Sequence, residues 1–530
     1  MIVRLPNLLR AVGLALCVLT ATAAAPARAD WKRAESPHFI VYSRGGEGAL
    51  RRYVRALEMY DYILRYRMGL PLDAVPARKL PIYLVSNRSG LVSINPATGP
   101  NVAGTYFPVG EDIFAAAIDD SEMDYLLHEY FHHFSFDLGS AASYPGWLIE
   151  GLAEYFMTAE ITDDTVRIGM YNDNRAQWLL NSTWLPLENL LSKRPGEIKK
   201  RGDQATYYPV AWLLTHWFMS DDARRAQLGA YIAQVQAGTD PVAALQATTG
   251  LSLPALRQEL RRYVRGRLTI VNYEVELPAP EIVVTSLPPA ADDLLLVGQR
   301  LKVGVKDEDR AETAALVRRL AARHPDDPFA MLQLGHAELH FGDPVAGEAV
   351  LARLLEREPD NIEALQLMAA RYIELAEEQP EDLPLRLRAK EHLARAYAAD
   401  PAQYYTLHLL AMNRQGQASY PNENDLTTWS LAFRIAPQLS AIRLGYGSAL
   451  MQAGIFDEAV ILLEPLANAP HGGSASDAAQ TLIERARAGQ PPLSVEELDA
   501  AADGDAPAQP EPAGAGPQSA PGPDAGPAVS

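Results

Sequence analysis

Leu126-Leu127-His128-Glu129-Tyr130-Phe131-His132-His133, followed after a Gly- and Ser-containing turn by Trp147-Leu148-Ile149-Glu150-Gly151-Leu152-Ala153-Glu154-Tyr155-Phe156, is the stretch that decides how this chain is read. Two histidines four residues apart on a helix leave the same face, because four residues fall about 40° from a whole turn. Neutral imidazole is a preferred zinc ligand, and a glutamate beside the first histidine is placed to act as a base. Such a site needs a third protein ligand and one open position. Glu150, near the start of a second apolar helix, is the candidate. Ser121 with Asp124 reads as a capping box and Gly139 as a helix stop. Leu127, Tyr130, Phe131, Phe134 and Leu138 form an apolar stripe beside the histidine face. His133 is turned about 140° from His128 and is expected to miss the metal.

His-Glu-Tyr-Phe-His at 128–132 and Trp-Leu-Ile-Glu-Gly-Leu-Ala-Glu-Tyr-Phe at 147–156 resemble the gluzincin metallopeptidases, the broad group that includes thermolysin and aminopeptidase N. The likeness is nearest to bacterial peptidase MA-like proteins that join such a domain to tetratricopeptide repeats. It implies one zinc ion held by His128, His132 and Glu150, with Glu129 as general base in peptide hydrolysis. It also implies a tyrosine donating to the oxyanion, for which Tyr208 fits the spacing better than Tyr207. Pro209 departs from the family pattern there. The Gly-x-Met-Glu-Asn element of aminopeptidase N is absent, which favours an endopeptidase. Glu154 lies one helical turn beyond Glu150, where a carboxylate can accept an N–H from a ligand histidine and fix its tautomer.

At 530 residues the chain calls for two or three domains. A net charge of −19 argues against nucleic acid as a partner, since phosphate binding wants clustered Lys and Arg. Residues 1–29 read as a secretory signal peptide, with Arg4 and Arg10 before an apolar stretch and Ala27-Arg28-Ala29 as the cleavage site. The expected address is therefore the bacterial periplasm or exterior, with no transmembrane segment after cleavage. Cys17 is the only cysteine and lies in that leader, so a mature chain has no thiol ligand, disulfide or cysteine nucleophile.

Working outward, residues 31–120 read as an α/β lobe. Strands are expected at 39–43, 81–86, 102–108 and 113–118, with an amphipathic helix through Leu50, Val54, Leu57, Tyr60 and Leu64 whose basic face is solvated. Gluzincins pair extended peptide with an edge strand of this lobe; 102–107 or 113–118 fits that role. The glycine-rich turn at 44–48 lacks any phosphate-binding pattern. Residues 158–268 are mostly helical, with a short strand at 165–170 and His216 packed inside an apolar helix. Segments 268–275 and 281–286 read as a strand pair closing the catalytic region, and Pro288-Pro289 as a linker.

Beyond the linker, prolines at 325, 359, 401, 437 and 470 recur at 34, 42, 36 and 33 residues. Thirty-four is the tetratricopeptide period, and the excess fits an insertion at 379–385. Gly335, Gly447 and Ala459 fall where paired helices need small side chains. Residues after 489 are Pro/Ala/Gly-rich and too polar to offset chain entropy by burial, so a disordered tail is expected. The expected organisation is a signal peptide (1–29), an α+β zincin-like catalytic domain (30–287), an all-α tetratricopeptide-repeat solenoid (290–488) and the tail (489–530). The catalytic part would take a peptide or protein substrate, and the repeats would recruit a protein partner. The competing expectation is a repeat scaffold with an idle or structural metal site.

Overall fold

The computed structural model describes residues 30–498 apart from 101, 120–122, 137–143, 163, 275–278, 380–382, 470–471 and 495–496. The leader, the Ser121 cap, Leu138, the Gly139 stop, Pro470 and nearly all of the tail lie outside the described residues.

The chain opens with β1 (Lys32–Glu35), β2 (Phe39–Ser43), α1 (Glu47–Met68), β3 (Leu80–Val85), α2 (Arg88–Ile94), β4 (Gly104–Val109) and β5 (Asp112–Ile118). α3 (Asp124–Ser135) and α4 (Gly146–Met157) carry the deciding stretch. β6 (Glu160–Ile161), β7 (Thr165–Ile168), α5 (Asp173–Asn181), α6 (Leu187–Ser192), α7 (Arg201–Met219), α8 (Asp222–Gln236), α9 (Pro241–Thr249), α10 (Leu253–Tyr263), β8 (Val271–Glu274) and β9 (Val283–Ser286) follow. The main sheet has the order β4-β5-β3-β2-β1-β9. Its centre is parallel, β2 with β3 and β3 with β5, while β4, β1 and β9 join antiparallel. All six residues of β3 are buried, as expected of a strand covered on both faces. Ile82 and Leu84 face α1 and α3, in a core with Leu57, Leu127 and Phe131. Tyr83 and Val85 face the other way, packing with Trp31, Leu91 and Ile94.

Two expectations at the lobe's end are corrected. Segments 268–275 and 281–286 do not pair: β8 joins β7 in a small three-stranded sheet, and β9 completes the main sheet beside β1. Pro288-Pro289 is not a linker either. It leads directly into α11 (Ala290–Val303), as proline can because its fixed φ suits a helix start. Ala291 and Leu295 of α11 cover the second face of the sheet beside Trp31.

The helical array continues with α12 (Arg310–Ala321), α13 (Pro328–Phe341), α14 (Pro344–Arg357), α15 (Ile362–Glu378), α16 (Leu383–Ala399), α17 (Tyr404–Arg414), α18 (Glu423–Ile435), α19 (Ser440–Gln452), α20 (Phe456–Ala467) and α21 (Ser474–Arg487). From α13 onward the helices pack in consecutive pairs, and the small residues sit where they cross. A Cβ on Gly335 would meet Leu351 Cδ2 at 2.5 Å, and one on Gly447 would meet Leu463 Cδ2 at 2.9 Å. Ala459 is fully buried. The longest proline interval falls on α15 and α16, which have 17 residues each where α13 and α14 have 14. The array is not held apart from the lobe. Tyr404, Leu407, Trp429, Leu439 and Ile442 belong to the same hydrophobic cluster as Phe39, Leu127 and Trp147.

Candidate metal centre

The rotation of α3 about its axis is set by its apolar side. Leu126, Leu127, Tyr130, Phe131 and Phe134 are buried, and two hydroxyls pin the helix to α1. Tyr60 donates to the Leu127 carbonyl at 3.1 Å, and Tyr130 donates to Asp61 Oδ1 at 2.6 Å. Asp61 also pairs with Arg65 at 2.7 Å, so this arginine, expected on a solvated face, is buried. His128 and His132 are thereby turned toward α4. On α4, Gly151 packs against the backbone of α7: a Cβ there would lie 2.7 Å from the Ala211 carbonyl oxygen and 2.2 Å from Thr215 Oγ1. Only glycine allows this approach, and it brings the neighbouring Glu150 in with a fully buried side chain.

The three expected ligands converge. His128 Nε2 and His132 Nε2 are 3.1 Å apart, and Glu150 Oε2 lies 3.6 Å from the first and 3.5 Å from the second. A tetrahedral ion about 2.0–2.1 Å from each donor would space the donors about 3.3–3.4 Å apart. The triangle matches that size, and two imidazoles with one carboxylate are the donor chemistry zinc takes. No other three His, Cys, Asp or Glu donors among the described residues come together this closely. Burial alone would lower His132, but the charge of Glu150, followed by Glu129 and Glu154, raises it above its ordinary value. Carboxylates that favour a proton on the imidazole also favour a bound cation in its place.

Glu154 stands where the helical turn places it, with Oε1 3.5 Å from His128 Nδ1. What holds it was not legible in the sequence. Arg175 of α5 donates to both oxygens of Glu154, each at 2.8 Å, a two-pronged pairing that fixes the carboxylate plane. No periodicity links position 175 to 154, so nothing in the sequence could have signalled it. Arg175 also lies 5.4 Å from the Tyr208 ring centroid, so Tyr208 approaches the ligand cluster by way of Arg175 and Glu154. Tyr207 donates to the Lys193 carbonyl at 3.2 Å, and the charge of Glu150 also reaches it. Pro209 is accommodated inside α7.

Glu129 is half-buried, and its charge acts on His132 and on Tyr106 of β4. His133 faces away from the ligands and sits 2.9 Å through Nδ1 from the Tyr106 hydroxyl. Burial, and then the charge of Arg78, push it down to about 3, so it is neutral. His216 is a packed histidine, 2.8 Å through Nδ1 from Tyr263 Oη and 3.0 Å through Nε2 from the Gly169 carbonyl. Of the two strands that could line the cleft, β4 is the edge strand and β5 is internal.

The tetratricopeptide-repeat family matches residues 305–371, from just ahead of α12 into α15. Repeats of this kind generally mediate contacts between proteins. The structure titled "MamA MSR-1 C2" aligns at 17% identity over 36% of this chain and 93% of its own, with a TM-score of 0.25. No curated protein matches the chain. Among the described residues no helix is long and apolar enough to cross a membrane.

Proposed function

We propose that this chain is an exported zinc-dependent peptidase, most simply an endopeptidase, whose zincin-like site is built from α3 and α4. The observation that carries this reading is the convergence of His128, His132 and Glu150 with Glu129 beside them. Zinc bound by those three residues would supply a Lewis acid and lower the pKa of water to about 7. Glu129 would take the proton from the attacking water and return it to the leaving amine. Glu154, held by Arg175, would keep His128 in the tautomer that presents Nε2 to the ion. Tyr208 is the candidate donor to the oxyanion, and its neighbour Arg175 would set where its ring lies. β4, with one strand edge unpaired in the sheet, would hold an extended peptide by backbone hydrogen bonds.

A second reading rests on the repeat match at 305–371. In it the chain is a protein-binding scaffold whose metal site is idle or structural. The presence of Glu129 argues for catalysis, because a structural site has no use for a base. The discriminating experiment compares wild type and Glu129→Gln on a broad peptide library, with zinc measured in both. A peptidase loses about 10²–10⁴-fold in kcat in the variant while keeping zinc. Equal cleavage by both forms would remove Glu129 as the base, and no cleavage by wild type would favour the scaffold.

A further inference from the structure

The turn joining β4 to β5 packs against the repeats. Glu111, at its tip, lies 3.4 Å from His336 Nε2 of α13, whose side chain is only 1% exposed. Asp112 lies 3.6 Å from Lys302 Nζ of α11, and Lys302 pairs in turn with Glu363 of α15 at 2.8 Å. Arg78 completes the ring. It binds Asp112, donates to the Ile113 carbonyl at 2.7 Å, and sits 5.6 Å from the Tyr404 ring centroid of α17. Four helices of the array therefore contribute a side chain around one turn, and three of them are the first helices of successive pairs. Burial alone would push the Glu111 carboxyl up, yet His336, His340 and Lys302 hold it below its ordinary range.

The contact continues along the strand. Gln438, in the connection from α18 to α19, lies close enough to the Tyr106 hydroxyl of β4 to act on it. That hydroxyl lies 2.9 Å from His133 Nδ1, next in sequence to the ligand His132. Gln438 and the Tyr106–His133 hydrogen bond thus link a loop of the repeats to the helix carrying the proposed metal ligands.

We propose that the helical array acts in cis, as a clamp that grips the β4–β5 hairpin and fixes edge strand β4 against α3. The chain's own acidic turn takes up part of the face presented by the first helices of these pairs. Glu111, Lys302, His336 and Gln438 are positioning residues: they touch neither substrate nor ligand atoms and act through the strand. The clamp rests on the geometry alone; its effect on peptide binding rests on the peptidase reading.

Hydrogen exchange over residues 104–118 tests it in the full-length chain, comparing wild type with Glu111→Gln and Gln438→Ala. These variants sit at opposite ends of the contact, so a folding defect in one leaves the other informative. Exchange in 104–109 should quicken about tenfold in each, the scale of losing one hydrogen bond to a charged or buried group. Zinc content should stay unchanged, and KM for an extended peptide should rise about five- to tenfold with kcat nearly constant. Unchanged exchange in both variants would overturn the clamp, and faster exchange with an unchanged KM would overturn its positioning role. If wild type neither holds zinc nor cleaves, the exchange result still decides the clamp, and only the peptidase reading falls.

Discussion

The molecule contains two histidine pairs of identical spacing, His128/His132 on α3 and His336/His340 on α13, and among the described residues only the first has a third donor converging on it. As local geometry they are nearly the same. Ring centroids are 4.8 Å apart at 75° in the first and 5.4 Å apart at 82° in the second. The difference lies in what other elements bring. Glu150 places a single oxygen 3.6 and 3.5 Å from the two Nε2 atoms. In the array, Glu111 approaches His336 Nε2 at 3.4 Å, while a different carboxylate, Glu374, approaches His340 Nδ1 at 3.6 Å. One arrangement points inward to a shared centre; the other sets each ring beside a different carboxylate and brings the repeats against a hairpin. Spacing puts two imidazoles on one face, and only in the first pair does a third donor from a second helix converge on both.

The comparison can be broken first at the carboxylates. Glu154→Gln should weaken zinc affinity by about 10–100-fold, since it removes the acceptor behind a ligand histidine. Glu374→Gln, with the same change beside the other pair, should leave affinity unaltered. Competition against a fluorescent chelator measures both, and equal responses would mean that Glu154 does not orient His128.

Glycine packing sharpens the contrast next. Gly151→Ala sets a Cβ against the rigid backbone of α7, whereas Gly335→Ala meets the Leu351 side chain. Both should cost about 1–3 kcal/mol as overpacking. Only Gly151→Ala should also weaken zinc binding, because α4 must shift and Glu150 moves with it. Denaturant melts with zinc titration separate the two effects.

The smallest expected effect is in pH. Burial, with His336 next, pushes His340 down from 6.5 to about 4. Its contribution to stability is complete above pH 6.5 and is lost as pH falls from there toward about 4. His38 behaves oppositely. Burial lowers it, but Glu58 at 2.7 Å and Asp61 at 3.3 Å outweigh that and raise it. Its contribution is present below pH 6.5 and is lost as pH rises through its higher folded value. Hydrogen exchange corrected for intrinsic rates should therefore show residues 328–341 loosening between pH 7.5 and 5 while residues 31–43 do not. A uniform response would contradict these assignments.

How much was legible in the sequence follows the range of the interaction. His128, Glu129 and His132 are set by one helical period, and Glu150 and Glu154 by another, so their faces could be read directly. The proline period located the repeats, and Gly335 and Gly447 could be read because each packs against its own partner helix. Tyr106, Arg175 and Gln438 could not be read, because their partners are brought together only by the fold. Pro288-Pro289 misled because the same dipeptide serves a linker or the start of a helix, and only the second face of the sheet, which α11 covers, decides between them. The strands at 271–274 and 283–286 misled similarly: neighbours in sequence pair often, but an open edge beside β1 took the second one.

Zinc stoichiometry in three full-length proteins tests the central claim most directly: wild type, His128→Ala and His336→Ala, purified without chelator and measured by elemental analysis. Convergence as the criterion predicts about one equivalent in wild type and in His336→Ala, and none in His128→Ala. Metal retained by His128→Ala, or lost from His336→Ala while the fold persists by circular dichroism, would contradict it.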